Sequence, residues 1–263
     1  MESLDRFLEY RVQGLFERGL VSRADELPVN LGRLATAAGV LSIEERSMIP
    51  EAVLAAERTG FRIYLQNNFA QSPGFHTRQR FSLAHEIAHT FFYELREGKR
   101  RSIQGAPKGD ALEDACHQGA GLLLVPQRSL TRELRLIDGP VGARHAIQLS
   151  RKFDVSAEVI VRRLNEVGAF ESTDTALVLV RRSAGGAMIE YAVYPPWLKS
   201  VLPTPHRGTN FASWLRHASS IGRSDFALAE LIESGLQGKT TSGVLRVDSF
   251  DVTRSQQIFE LRI

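Results

Sequence analysis

The sequence predicts an α+β fold, and three observations predict it. Up to about residue 167, apolar residues recur mostly at the spacing of amphipathic helices. Within that helical half, "FRIYLQN" (61–67) alternates: Phe61, Ile63 and Leu65 point one way, Arg62, Tyr64 and Gln66 the other. That is a half-buried strand. After "AFESTD" (169–174) the texture changes to strand-like segments. A chain of 263 residues holds one large domain or two smaller ones. The expected organisation is an N-terminal domain over 1–130, a helix-turn-helix-like connector over 131–170 and a C-terminal α/β domain over 171–263.

The elements follow in order. Residues 3–20 read as a charged amphipathic helix with no apolar signal core. "ELPVN" (26–30) breaks the chain, and Asn30 can cap a second helix over 30–40. "IPEAVLAAERTG" (49–60) reads as a short helix ending at Gly60. The strand at 61–67 comes next, and "QSPGFHTRQ" (71–79) turns into a helix carrying "RFSLAHEIAHTFFY" (80–93). The stretch 97–110, rich in Gly, Pro and charge, reads as a loop. A helix over 112–124 stops before Pro126. Residues 141–167 read as two helices around "KFDVS", with Ser156 able to cap the second. "TALVLVRR", "MIEYAVYP", "GVLRVDSFDV" and "QQIFELRI" are strands, with one helix near 225–236.

Composition narrows the classes. No apolar run approaches the roughly 18 residues of a membrane span, so no membrane association is expected. Cys116 is the only cysteine. A disulfide framework is excluded, and a reducing cytoplasm is the expected location. The formal charge of +3 permits nucleic-acid contact without demanding it.

The segment 80–93 raises the sharpest chemical question. His85 and His89 are four apart, so on a helix they project from one face. Neutral imidazoles at that spacing can share one zinc ion, and Glu86 beside them can accept a proton from a water held there. The ordinary alternative is a helix with two satisfied histidines. Phe81, Leu83, Ala84, Ile87, Ala88 and Phe91 make the segment largely apolar, so three ionisable side chains in it need a reason. Catalytic zinc has three protein ligands. "LEDACHQGAGLLLVP" (112–126) offers Glu113 as the third, on a face shared with Cys116. Gly119, Ala120 and Gly121 are small enough to let this helix approach the first closely. Cys116 is either a small buried side chain or a thiolate reaching the metal as an inhibitory fourth ligand. His117 reads as facing elsewhere. Tyr93 is either packing or an oxyanion partner, and the strand at 61–67 is a candidate edge for an added substrate strand.

"RQRFSLAHEIAH", the Glu-x-x-Cys helix ending "LLLVP", and "RKFDVSAEVIVRRLNEVG" together resemble the ImmA/IrrE metallopeptidase family, in the family's order, over about residues 25–167. The resemblance implies zinc and a helical, gluzincin-like peptidase fold. It also implies a third ligand thirteen residues before the closing proline, the place Glu113 holds before Pro126. It implies cleavage of a helix-turn-helix repressor that controls stress, phage or mobile-element genes. IrrE-like members carry a GAF-like sensory domain after the peptidase. One branch, linked to anti-phage signalling operons, resembles this short arrangement and answers to DNA damage. The chain departs from the family at His117, where Asn or Asp is usual, and at Gly119-Ala120-Gly121.

Two further features carry alternatives. "HAIQLSRKFDVSAEVIVRRL" (145–164) has helix-turn-helix texture, with basic Arg151, Lys152, Arg162 and Arg163. A helical pair packing on the rest of the protein is the favoured reading over sequence-specific DNA contact. From Tyr191 through Ser224 there is no acidic residue. Trp197, Lys199, Arg207, Trp214 and Arg216 there are candidates for a single-stranded nucleic-acid platform, and a core with a solvated basic face is the alternative. The rival to a peptidase is a non-catalytic zinc-containing regulator that binds a repressor or DNA without cutting.

Overall fold

The computed structural model describes residues 3–20, 26–68, 74–96, 99–171, 175–183, 186–193, 205–211, 213–214, 237–240, 243–253 and 256–262. The chain divides into two compact units, residues 1–132 with 152–156, and residues 133–151 with 157–263. Most of the segment read as a connector, 131–170, falls in the second unit. Among the described residues no helix is long and apolar enough to cross a membrane.

The first unit opens with α1 (Leu4–Leu20) and α2 (Leu31–Ala37). Asn30 caps α2, its side chain accepting from the Arg33 N–H at 3.1 Å. The helix ends sooner than expected, because Val40–Arg46 is strand β1. Strands β2 (Ala52–Ala56) and β3 (Phe61–Gln66) follow. The expected helix at 49–60 is therefore a strand. Its alanines favour a helix weakly, but antiparallel pairing with β3 overrides that preference. Gly60 does not end a helix. A Cβ there would lie 2.6 Å from the Gly39 carbonyl oxygen, so it serves close backbone approach. The sheet order is β1-β3-β2, with β1 parallel and β2 antiparallel to β3. Phe61, Ile63 and Leu65 face the core as the alternation required.

Helix α3 (Phe75–His89) packs on this sheet, and a 3-10 turn (Thr90–Phe92) leads out of it. Strands β4 (Tyr93–Arg96) and β5 (Lys99–Ser102) then pair, so part of the expected loop is a hairpin strand. Helix α4 (Asp110–Leu124) packs along α3. The approach is as close as its small residues suggested: a Cβ on Gly119 would lie 2.9 Å from that of Ala88. The segment 152–156 is held by Arg80, which donates to the carbonyls of Asp154 and Val29, each at 3.1 Å. Helix α5 (Gln127–Leu134) follows α4.

The second unit contains helix α6 (Ala143–Phe153) as far as Arg151, helix α7 (Ala157–Glu166) and strands β6 (Thr175–Ser183), β7 (Gly186–Val193), β8 (Gln237–Thr240), β9 (Gly243–Thr253) and β10 (Gln256–Arg262). All neighbours are antiparallel, in the order β7-β6-β10-β9-β8. The buried Glu260 carboxylate of β10 accepts from the Ala143 N–H at 2.7 Å, at the start of α6, where it also meets the helix dipole. Helix α7 lies against β6 and β7, with Ile160 and Leu164 fully buried. Its basic residues are largely engaged. Arg162 pairs with Glu158 at 2.9 Å and lies over the Tyr191 ring, and the buried Arg163 bonds Glu166. The expected helix near 225–236 lies outside the described residues.

Candidate metal centre

The helical period places His85 and His89 side by side on α3, and α4 brings Glu113 across to them. The two Nε2 atoms are 3.1 Å apart. The Glu113 Oε2 lies 3.1 Å from His85 Nε2 and 3.6 Å from His89 Nε2. Four-coordinate zinc with bonds near 2.0–2.1 Å keeps its ligand atoms about 3.3 Å apart. The observed spacings fit that requirement. Burial, with His89 and His117 nearby, pulls His85 down to about 4, and burial also lowers His89. Both imidazoles are therefore neutral near pH 7, the form that binds metal. Their Nδ1 atoms are buried without a hydrogen-bond partner, which leaves the converging Nε2 atoms as the outlet for both rings. These residues would hold a zinc ion.

Glu86 projects from α3 beside this cluster and is buried. Burial raises its carboxyl to about 7, and the Glu113 charge pushes the same way. The Leu54 N–H and the Arg100 charge pull it down, in that order. All four residues line a cavity of about 460 Å³. Its walls are Glu51–Leu54 with Phe81 and Ser82, then Tyr93, Arg100 and His117.

Several expectations are corrected. Strand β3 is the centre of its sheet, paired on both sides, so it is no edge. The edge beside the cavity is β2. Cys116 does not join His85, His89 and Glu113, which are the donors that gather. It is fully buried and absent from the cavity wall, and burial pushes its thiol up, away from the thiolate a metal needs. His117, expected to face elsewhere, lines the cavity, with its ring 4.7 Å from that of His85 and stacked on Phe81. The signal was present in the sequence. Residues i+3 and i+4 diverge by about 60° and 40° to opposite sides of residue i on a helix. The packed side of α4 takes Cys116, and the open side takes His117. Tyr93 belongs to β4 rather than α3, yet it reaches the cavity and stacks on His89.

The nucleic-acid candidates divide differently. Trp197, Lys199 and Arg216 lie outside the described residues. Trp214 is only 4 % exposed and stacks on Phe211, which packs against Phe259. Its ring is core, not a surface for a base to stack on. Arg207 is exposed and lies 3.7 Å from Glu158.

A helical His-Glu-x-x-His pair, an incoming glutamate and a buried second glutamate in one cavity define the class of zinc-type metallopeptidase domains. Residues 48–165 match the IrrE N-terminal-like domain of peptidase family M78. That segment is thus similar to the metallopeptidase domain of the ImmA/IrrE family. Over 92 residues it is 36 % identical to the radiation response metalloprotease IrrE of Deinococcus deserti. That match covers 34 % of this chain and 32 % of the relative, so it spans about a third of the relative's length. A solved Mycobacterium tuberculosis transcriptional regulator is similar at 14 % identity and a TM-score of 0.43, over 97 % of this chain and 75 % of that one.

Proposed function

We propose that the chain is a zinc-dependent, site-specific endopeptidase. Its substrate is a helix-turn-helix transcriptional repressor, cut in response to stress or DNA damage so that stress, mobile-element or anti-phage genes are derepressed. The observation that carries the peptidase reading is the placement of Glu86, a buried carboxyl one residue from His85 in the cavity that His85, His89 and Glu113 also line. A carboxyl so placed can take a proton from a water in the cavity and release it again. Zinc at His85, His89 and Glu113 would supply a Lewis acid and an acidified water. Glu86 then takes the proton of the attacking water and passes it to the leaving amine. The Leu54 N–H fixes the Glu86 carboxylate for both transfers. Edge strand β2 lines up the polypeptide by strand addition, in a gluzincin-like arrangement.

The second unit is read as a GAF-like sensor. Its antiparallel sheet, with the first and last strands at the centre and α7 against it, supports that reading. Single-stranded DNA is the proposed signal, contacted by Trp197, Lys199, Arg207 and Arg216, with Trp214 supporting from the core. The radiation response in the relative's name favours DNA damage as the trigger.

The non-catalytic zinc regulator is the weaker reading. Structural zinc is closed by four protein ligands, whereas three donors gather here among the described residues. The test is to incubate the zinc-loaded protein with the helix-turn-helix repressor encoded beside its gene, with and without single-stranded DNA. Cleavage by the wild type and none by Glu86→Gln is the expected result. An intact repressor under every condition would leave the regulator reading standing.

A further inference from the structure

One charge in the cavity makes no close ion pair among the described residues. Arg100 on β5 is exposed and forms part of the cavity wall. Its Nη1 donates to the Leu54 carbonyl oxygen at 3.2 Å, and its guanidinium lies 4.9 Å from the centroid of the Tyr93 ring. Its charge also acts on Glu86, but the groups it bonds or lies over are a carbonyl and a ring, with no carboxylate hydrogen-bonded to it among the described residues. One bond to a neutral acceptor uses one of the five N–H donors of a guanidinium, whose planar fork matches a carboxylate. Glu51, another acid of the cavity wall, is already engaged. It accepts from Ser82 Oγ at 3.1 Å and lies 4.0 Å from Arg78.

The place of this bond matters. The Glu51 carbonyl accepts from Gln66 of β3, so by strand alternation both polar groups of Leu54 face away from β3. Its N–H is taken by Glu86 and its C=O by Arg100. A strand added to β2 at Leu54 needs that C=O as an acceptor, and Arg100 stands on it. A neutral incoming segment would displace the guanidinium and leave it without a partner. A segment bearing a carboxylate would receive it in a bidentate, charge-assisted pair, while Leu54 accepts the segment's N–H.

We infer that Arg100 determines specificity: it receives an aspartate or glutamate side chain of the substrate, close to the scissile bond at the Leu54 end of the cavity. The inference rests on the peptidase reading. It is tested on the whole zinc-loaded chain, with zinc content measured for every variant. Immobilised Glu86→Gln protein selects binders from a randomised peptide display library. Glu86→Gln proteins that also carry Arg100→Gln or Arg100→Glu are run in parallel, and the selected peptides are then offered to the wild type. An acidic residue should be enriched at one position on the first protein and absent on the second. Lys or Arg should replace it there on the third. In wild-type cleavage, converting that acid to its amide should raise KM about tenfold with kcat little changed, the size of one charge-assisted bond. Arg100→Gln should erase that difference. An acidic preference that survives Arg100→Glu overturns the inference, and so does cleavage of selected peptides with no acidic preference. Acid-bearing peptides that bind but are never cut would defeat the peptidase reading instead, and a failure to select any binder sinks both.

Discussion

Two regions of this chain hold the residue types that bind ligands, and they use them in opposite ways. Around α3, two neutral imidazoles and two carboxylates share one cavity, and both Nδ1 atoms are buried without partners. Around Trp214, the indole packs on Phe211, and the nearby Arg207 lies on the surface close to Glu158. The second arrangement is what any core with a solvated face looks like. The first costs folding free energy and returns none unless something fills it. What marks a site is therefore polar groups buried at a cost, not the presence of histidine, tryptophan or arginine.

The comparison breaks most visibly through Glu86. Glu86→Gln should keep zinc, because the ligands are untouched, and lower repressor cleavage by about 10²–10⁴-fold, the usual weight of a general acid–base group. His89→Ala should lose the metal as well, read by elemental analysis of the purified protein. Cleavage by Glu86→Gln at the wild-type rate would make the cavity as ordinary as the Trp214 cluster.

Trp214→Ala tests the other region. A buried tryptophan cut to alanine costs about 3–5 kcal/mol, so a denaturant midpoint should fall sharply. The same change at a surface stacking residue would leave the midpoint unmoved and weaken only DNA binding. Zinc content should be unaffected.

A third measurement reads the cost of the cavity directly. The fold raises the Glu86 carboxyl from the ordinary 4.5 to about 7, so the folded chain holds this proton more tightly than the unfolded one. The associated stability is complete below about pH 4.5 and is lost as pH rises through 7. Metal-stripped wild type should lose up to about 3 kcal/mol relative to Glu86→Gln between those limits. Urea melts of both proteins at pH 5 and pH 8 check the sign, since parallel behaviour would mean that Glu86 is not destabilised by burial.

The smallest expected effect belongs to Cys116. Buried in the packed side of α4, it should behave as a small apolar side chain. Cys116→Ala should cost about 1 kcal/mol of stability and leave zinc content and basal cleavage unchanged. A variant that cleaves repressor without a signal would restore the thiolate as an inhibitory ligand.

The elements read correctly from sequence are those whose signal is local. The four-residue spacing of His85 and His89, the alternation of β3, the Asn30 cap and the C-terminal strands each follow from backbone periodicity or from a cap reaching three residues. The misread elements lacked such a signal. "AVLAA" suits a helix or a strand, and only its pairing with β3 decides between them. "KRRS" looked like loop until β4 gave it a partner.

The sequence by itself thus determined the α+β class, the shared helix face of His85 and His89 with Glu86 beside them, and the small residues at which α3 and α4 meet. Only the tertiary structure decided that β2 rather than β3 is the open edge, and that Arg100 covers Leu54. It also decided that His117 faces the cavity while Cys116 and Trp214 face the core. The physical reason is the same in each case. Periodicity fixes which side chains share a face, but what that face meets depends on segments far away in the chain.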